Sequence, residues 1–148
     1  MRQVINKGWF QATFDREFRT VMTHCGEVKR PGQDGTWITR DMINAYCRLH
    51  EAGYAHCVEV WEGDRLVGGL YGVTIGACFT GESMFTLVPN ASKFGLIQLA
   101  AKLVLLGFDF IDCQVPTPHL MSLGAEAISR KTFLGKLKAA SRKTVAWS

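Results

Sequence analysis

No apolar run in this chain reaches the roughly 18 residues that span a bilayer, so no membrane-spanning helix is predicted. The opening MRQVINKGWF lacks an apolar stretch and a small-residue cleavage site, so a secretory signal is not expected. Cys25, Cys47, Cys57, Cys78 and Cys113 are odd in number, with no C-x-x-C pair and no His-x-His spacing nearby. That argues against a disulfide framework and a structural zinc site, and for buried free thiols in a reducing cytoplasm. Also missing are the G-x-S-x-G elbow, the P-loop, H-E-x-x-H and a G-x-G-x-x-G opening a helix, which excludes the commonest hydrolase, nucleotide and dinucleotide signatures.

Acid is scarce at one end. Residues 119–148 carry Arg130, Lys131, Lys136, Lys138, Arg142 and Lys143 against Glu126 alone, whereas residues 55–118 are mildly acidic. A basic tail beside an acidic middle suits a phosphate backbone near a site that binds cations; a solvated helix end would read the same way. Hydrophobic residues make up 47% and charged residues 20%, which excludes a disordered chain and fits one soluble domain over residues 1–148.

The pattern along the chain predicts α-α-β-β-β-α-β-α. Thr13 or Asp15 is expected to cap a first helix carrying Phe18, Val21 and Met22. Glu27 to Gly35 reads as a loop, and Thr39-Arg40-Asp41 opens a second helix ended by Gly53. From His56 the period becomes two, with a hairpin turn at Glu62-Gly63-Asp64. A return strand is expected over Leu66–Val73 and a third over Gly76–Phe85. Asn90-Ala91-Ser92 caps a helix over Lys93–Leu106, stopped at Gly107. Phe108–Val115 has the apolar first half of a central buried strand, and a last helix runs from about Arg130 to Lys138. Antiparallel strands followed by a crossover helix back into the sheet make an α+β fold.

The residues that could carry chemistry are Glu82, Asp112, Gln114, His119 and Ser122. Glu82 stands among Phe79, Met84 and Phe85, where an unpaired polar group costs roughly 1–3 kcal/mol. A carboxylate facing a cavity there suits an ammonium group; one at a core edge would instead cap backbone donors. Asp112 and Gln114 share strand parity and project to one face, where the acid can orient the amide or pass a proton through water. A structural hydrogen-bonded pair at a sheet end is the alternative. His119, alone after a Pro-Thr-Pro turn, fits a structural role more readily than a catalytic one. Trp37, Tyr46, Phe79 and Phe85 read equally as core.

The blocks GTWIT, AYCRLHEAGYAHCVEVWEGDRLVGGLYGV, GESMF, NASK, IDCQ and HLMSLGA, in this order, resemble the leucyl/phenylalanyl-tRNA–protein transferase family over roughly residues 10 to 137. The resemblance implies an α+β fold like that of GNAT acyltransferases. It implies an aminoacyltransferase that moves Leu or Phe, sometimes Met, from aminoacyl-tRNA to an N-terminal Lys or Arg, marking that protein for bacterial N-end degradation. It further implies that Glu82 holds the α-amino group and that Gln114, steered by Asp112, meets the reacting ester. Trp37, Tyr46, Leu70, Phe79, Met84, Leu99, Leu103 and Ile111 would line the pocket for the apolar side chain and terminal adenosine.

An aminoacyl ester is already activated, so no cofactor and no metal is expected. The expected partners are aminoacyl-tRNA and an acceptor N-terminus or small amine, with no membrane. A cytoplasmic monomer is favoured. The family's small N-terminal domain is expected to be missing here. Its basic tRNA-contacting cluster is reduced to Arg2 and Lys7, with Lys29 and Arg30 of the loop, and Arg130 and Lys131, as further tRNA contacts. A small-molecule acceptor and a non-catalytic tRNA-binding remnant are the competing functions. An acyl-CoA-dependent acetyltransferase is disfavoured, because no Gly-rich pyrophosphate loop precedes a helix.

Overall fold

The computed structural model describes residues 10–27, 38–113, 122 and 124–147. Within them one five-stranded sheet runs in the order β1-β2-β3-β4-β5: β1 Gln11–Phe14, β2 Ala55–Glu62, β3 Arg65–Ile75, β4 Cys78–Thr86 and β5 Phe110–Asp112. The described helices are α1 Phe18–Glu27, α2 Arg40–Glu51, α3 Ala91–Leu106 and α4 Arg130–Ser141. β1 to β4 pair antiparallel, and β5 returns parallel to β4 after the α3 crossover. The α+β prediction therefore holds.

Both sheet faces are covered, which is why β2 is buried from Ala55 to Val60 without alternation. On one face Cys57, Tyr71 and Phe85 pack with Phe18, Val21, Met22 and Cys25 of α1 and with Ile43, Tyr46 and Cys47 of α2. On the other, Val58, Leu70 and Phe79 pack with Leu99 and Leu103 of α3. Each such side chain contributes about 1.5–3 kcal/mol of burial free energy. Glycine lets α3 lie close. A Cβ on Gly68 would come within 2.8 Å of Ala91, and one on Gly95 within 2.9 Å of Val60.

Three expectations need correction. The stretch around Thr13 is an edge strand, not a helix start, and α1 begins at Phe18. Thr13 and Asp15 spend their oxygens on β2 instead: Thr13 donates to Glu59 at 2.5 Å, and Asp15, in the left-handed region at φ 59°, accepts from the Cys57 amide at 2.9 Å. Asn90 precedes α3 at φ 71° but makes no side-chain cap. β5 is short, half-buried and last in the sheet order rather than central. Its apolar residues are buried by α3 and α4 rather than by strands on both sides. The second helix matches its reading, with the Thr39 hydroxyl accepting from the Met42 amide at 3.2 Å. The last helix continues to Ser141.

Candidate active site

The described pairing of β5 with β4 ends part-way along β4. Their parallel pairing covers Cys78↔Phe110, Phe79↔Ile111 and Thr80↔Asp112 and goes no further among the described residues. β4 continues to Thr86, and its own register against β3 breaks just beyond that point. Tyr71 pairs with Ser83 and Gly72 with Gly81, so Glu82 is the extra residue of a β-bulge. Bulges bend a strand and re-aim a side chain. This one sets a carboxylate two residues past the last β4–β5 pair.

Glu82 is half-buried. It accepts no hydrogen bond and forms no ion pair among the described residues. Its neighbour is Tyr46 on α2, whose phenol is pushed above its ordinary pKa by burial and then by the negative charge of Glu82. Tyr46 also packs edge-on against Tyr71, with ring centroids 5.6 Å apart. Asp112, half-buried at the end of β5, lies beside Gly81, where an added Cβ would stand 3.7 Å from the Asp112 carbonyl oxygen. Its charge raises the Cys113 thiol, secondarily to burial. Glu82 and Asp112 thus both lie next to Gly81, just past the last described β4–β5 pair, and Tyr46 lies close to Glu82.

The apolar residues named from sequence divide between the faces. Leu70, Phe79, Leu99 and Leu103 are fully buried together on the α3 side, with Met84 and Ile111 half-buried at the margin of the same cluster. Tyr46 lies across the sheet from them. Ser122 is exposed, as are Arg130 and Lys131 at the start of α4. Gln114, Trp37, His119, Arg2, Lys7, Lys29 and Arg30 lie outside the described residues.

Sequence reasoning missed a polar hub at the β1–α1 junction. Glu59, fully buried, accepts from Thr13 at 2.5 Å, from the Arg16 and Glu17 amides at 3.1 and 3.0 Å, and from the Cys57 thiol at 2.8 Å. Burial and then Glu59 push that thiol far up, so Cys57 stays protonated. Next to it, Asp15, His50 and His56 place ligand-type atoms within 4.8 Å of one another. Their hydrogen bonds explain the cluster: His56 Nδ1 meets Asp15 at 2.7 Å, and His50 Nδ1 meets the Ala55 carbonyl at 2.8 Å. A carbonyl only accepts, so His50 Nδ1 carries a proton there and offers no lone pair to a metal. The five cysteines are free thiols.

The profile of the leucyl/phenylalanyl-tRNA protein transferase family matches residues 1–138. The chain belongs to this family. A leucyl/phenylalanyl-tRNA–protein transferase of Syntrophus aciditrophicus is 52% identical over 143 residues, covering 97% of this chain and 60% of the relative. One from Flavobacterium psychrophilum is 53% identical over 138 residues, covering 93% and 65%. The chain thus spans about three fifths of the length of the curated relatives it matches. Among solved structures, an aminoglycoside acetyltransferase from an uncultured soil metagenomic sample superposes with a TM-score of 0.58 at 16% identity, covering 81% of this chain and 93% of that one. A ribosomal-protein-alanine N-acetyltransferase of Brucella melitensis gives 0.55 at 13% identity, covering 81% and 94%. These likenesses show a GNAT-like fold and no more. No helix among the described residues is long and apolar enough to cross a membrane.

Proposed function

We propose that this member of the leucyl/phenylalanyl-tRNA–protein transferase family is an aminoacyltransferase. It takes Leu or Phe, and sometimes Met, from aminoacyl-tRNA in the cytoplasm and joins it to the N-terminal Lys or Arg of a protein, marking that protein for N-end-rule degradation. The observation that carries the reading is the bulged carboxylate of Glu82. It is half-buried and has no protein counter-charge among the described residues, two positions past the last described β4–β5 pair. A carboxylate so placed suits the ammonium group of an aminoacyl ester, since pairing offsets part of its desolvation.

In this reading the half-buried Met84 and Ile111, at the edge of the α3-side cluster, receive the amino-acid side chain. Such a surface separates Leu from Phe only weakly, because apolar pockets discriminate by size alone. With the ester held, the acceptor amine attacks its carbonyl carbon and the bond to the ribose oxygen breaks. That oxygen leaves with the proton lost by the amine, passed through water or Asp112. An amide is too weak a base for that task, so Gln114 serves as an orienting acceptor. The rate gain is mainly one of proximity and of stabilising the tetrahedral oxyanion.

Transfer of radiolabelled Phe or Leu from charged tRNA to a peptide beginning with Lys or Arg is the direct assay. Transfer that is lost when the peptide begins with an acidic residue supports the reading. No transfer from any aminoacyl-tRNA rejects it.

A further inference from the structure

We infer that the outer face of α4 is a docking strip for the sugar-phosphate backbone of duplex RNA, an inference that rests on the proposed use of aminoacyl-tRNA. The inner face of α4 is fixed. Phe133 meets Phe110 of β5 edge-on with centroids 6.3 Å apart, Leu137 and Ala140 pack with Ala77 and Cys78, and the Ala140 carbonyl accepts from the Ala77 amide at 2.9 Å. The helix is thereby clamped outside β5, the strand that ends in Asp112.

Opposite that face, Lys131, Gly135, Lys138 and Arg142 follow one another at i, i+4, i+7 and i+11, which stacks them in a single stripe. All four are exposed, and so are Arg130 and Lys136 further round the helix. Of the six basic residues in this segment, Lys143 alone has a carboxylate partner among the described residues, Asp109 at 2.8 Å. Five cations without counter-charges on one short helix repel each other, and a polyanion relieves that repulsion.

Gly135 is the second, independent observation. Glycine inside a helix is destabilising relative to alanine. Nothing internal calls for it here, since a Cβ at Gly135 would meet no atom within 4 Å. A smooth gap between Lys131 and Lys138 lets a backbone ridge sit directly on the helix. A purely solvated charged face gains nothing from such a gap.

The test uses the full chain and an RNA hairpin with a single-stranded, unacylated 3′ end, in binding titrations across salt concentrations. The triple variant Lys131→Glu, Lys138→Glu, Arg142→Glu is expected to lose tenfold or more in affinity. Its plot of log affinity against log salt should be shallower by about 2–3, from three lost phosphate contacts at roughly 0.9 each. Arg65→Glu, on the β2–β3 hairpin, serves as the charge control and should bind like the unchanged protein. Gly135→Gln, which alters no charge, should raise the melting temperature yet weaken RNA binding several-fold at an unchanged salt slope. An aminoacyl-adenosine analogue, which lacks the duplex, should bind the triple variant as well as the unchanged protein. If the unchanged protein ignores that analogue while the RNA results stand, the transferase reading fails and the docking strip survives. If the triple variant and Gly135→Gln hold RNA as tightly as the unchanged protein, the strip is overturned. It is equally overturned if α4 grips phosphatidylserine vesicles and no RNA.

Discussion

Two carboxylates on one sheet meet opposite fates. Glu59 on β2 is fully buried and receives four hydrogen bonds, two of them from backbone amides at the start of α1. Glu82 on β4 is half-buried, is displaced by a bulge and receives none among the described residues. Burial alone would have pointed to Glu59 as the site. Satisfaction points to Glu82. A buried acid whose lone pairs are filled by its own chain is a structural fastener, whereas one left open beside an aromatic phenol is available to a ligand.

Four tests sharpen or break this contrast, taken from the largest expected effect to the smallest. Glu59→Ala leaves the Thr13, Arg16 and Glu17 donors without their acceptor, each worth about 1–3 kcal/mol when buried. A loss of about 3–5 kcal/mol in urea unfolding is expected; a loss below about 1 kcal/mol would remove the fastener role. Glu82→Gln should leave stability within about 0.5 kcal/mol. It should lower kcat/KM for transfer by about 2–3 kcal/mol, roughly 30- to 150-fold, as expected when one partner of a desolvated ion pair is removed. Thr39→Ala, which removes the α2 cap far from both acids, should cost about 1 kcal/mol of stability and leave the transfer rate per folded molecule unchanged.

The smallest effect is electrostatic. Tyr46 titrates above its ordinary 10.0 because of burial and Glu82. A raised folded-state pKa means that this phenol's contribution is intact below pH 10 and is lost as pH climbs through the raised value. Stability should therefore fall above pH 10. In Glu82→Gln the Tyr46 absorbance titration should move down toward the ordinary value. A titration indifferent to Glu82 would separate the two side chains and undo the site geometry.

Much of this was legible in the sequence, for reasons that can be named. β2, β3 and β4 announce themselves by β-branched and aromatic content between turn residues, and α2 by its Thr39 cap and helical spacing. Glu82 stood out because a carboxylate in an apolar strand is costly without a partner. The misreadings have physical causes too. Thr13 and Asp15 have cap chemistry, but their acceptors and donors lie more than 40 residues away on β2, beyond any local pattern. β5 is apolar because helices cover it, a burial that periodicity cannot tell from a central strand. In α3 only Ser92, Lys93, Gln98 and Lys102 are polar, so spacing could not show that Leu99 and Leu103 face the sheet while Val104 and Leu105 stand 76% and 87% exposed. Glu59 looked like one more alternating residue, since nothing local marks the donors that fill it.

The central claim is that Glu82 holds the α-ammonium group of the aminoacyl donor. Calorimetry with phenylalanyl-adenosine in a stable amide form, and with its counterpart carrying hydroxyl in place of the amine, tests it in the unchanged protein and in Glu82→Gln. Replacing the amine and replacing the carboxylate should each weaken binding by tenfold or more, and together they should cost no more than either alone. Losses that multiply, or a Glu82→Gln protein that still prefers the amine as strongly as the unchanged one, would contradict the account.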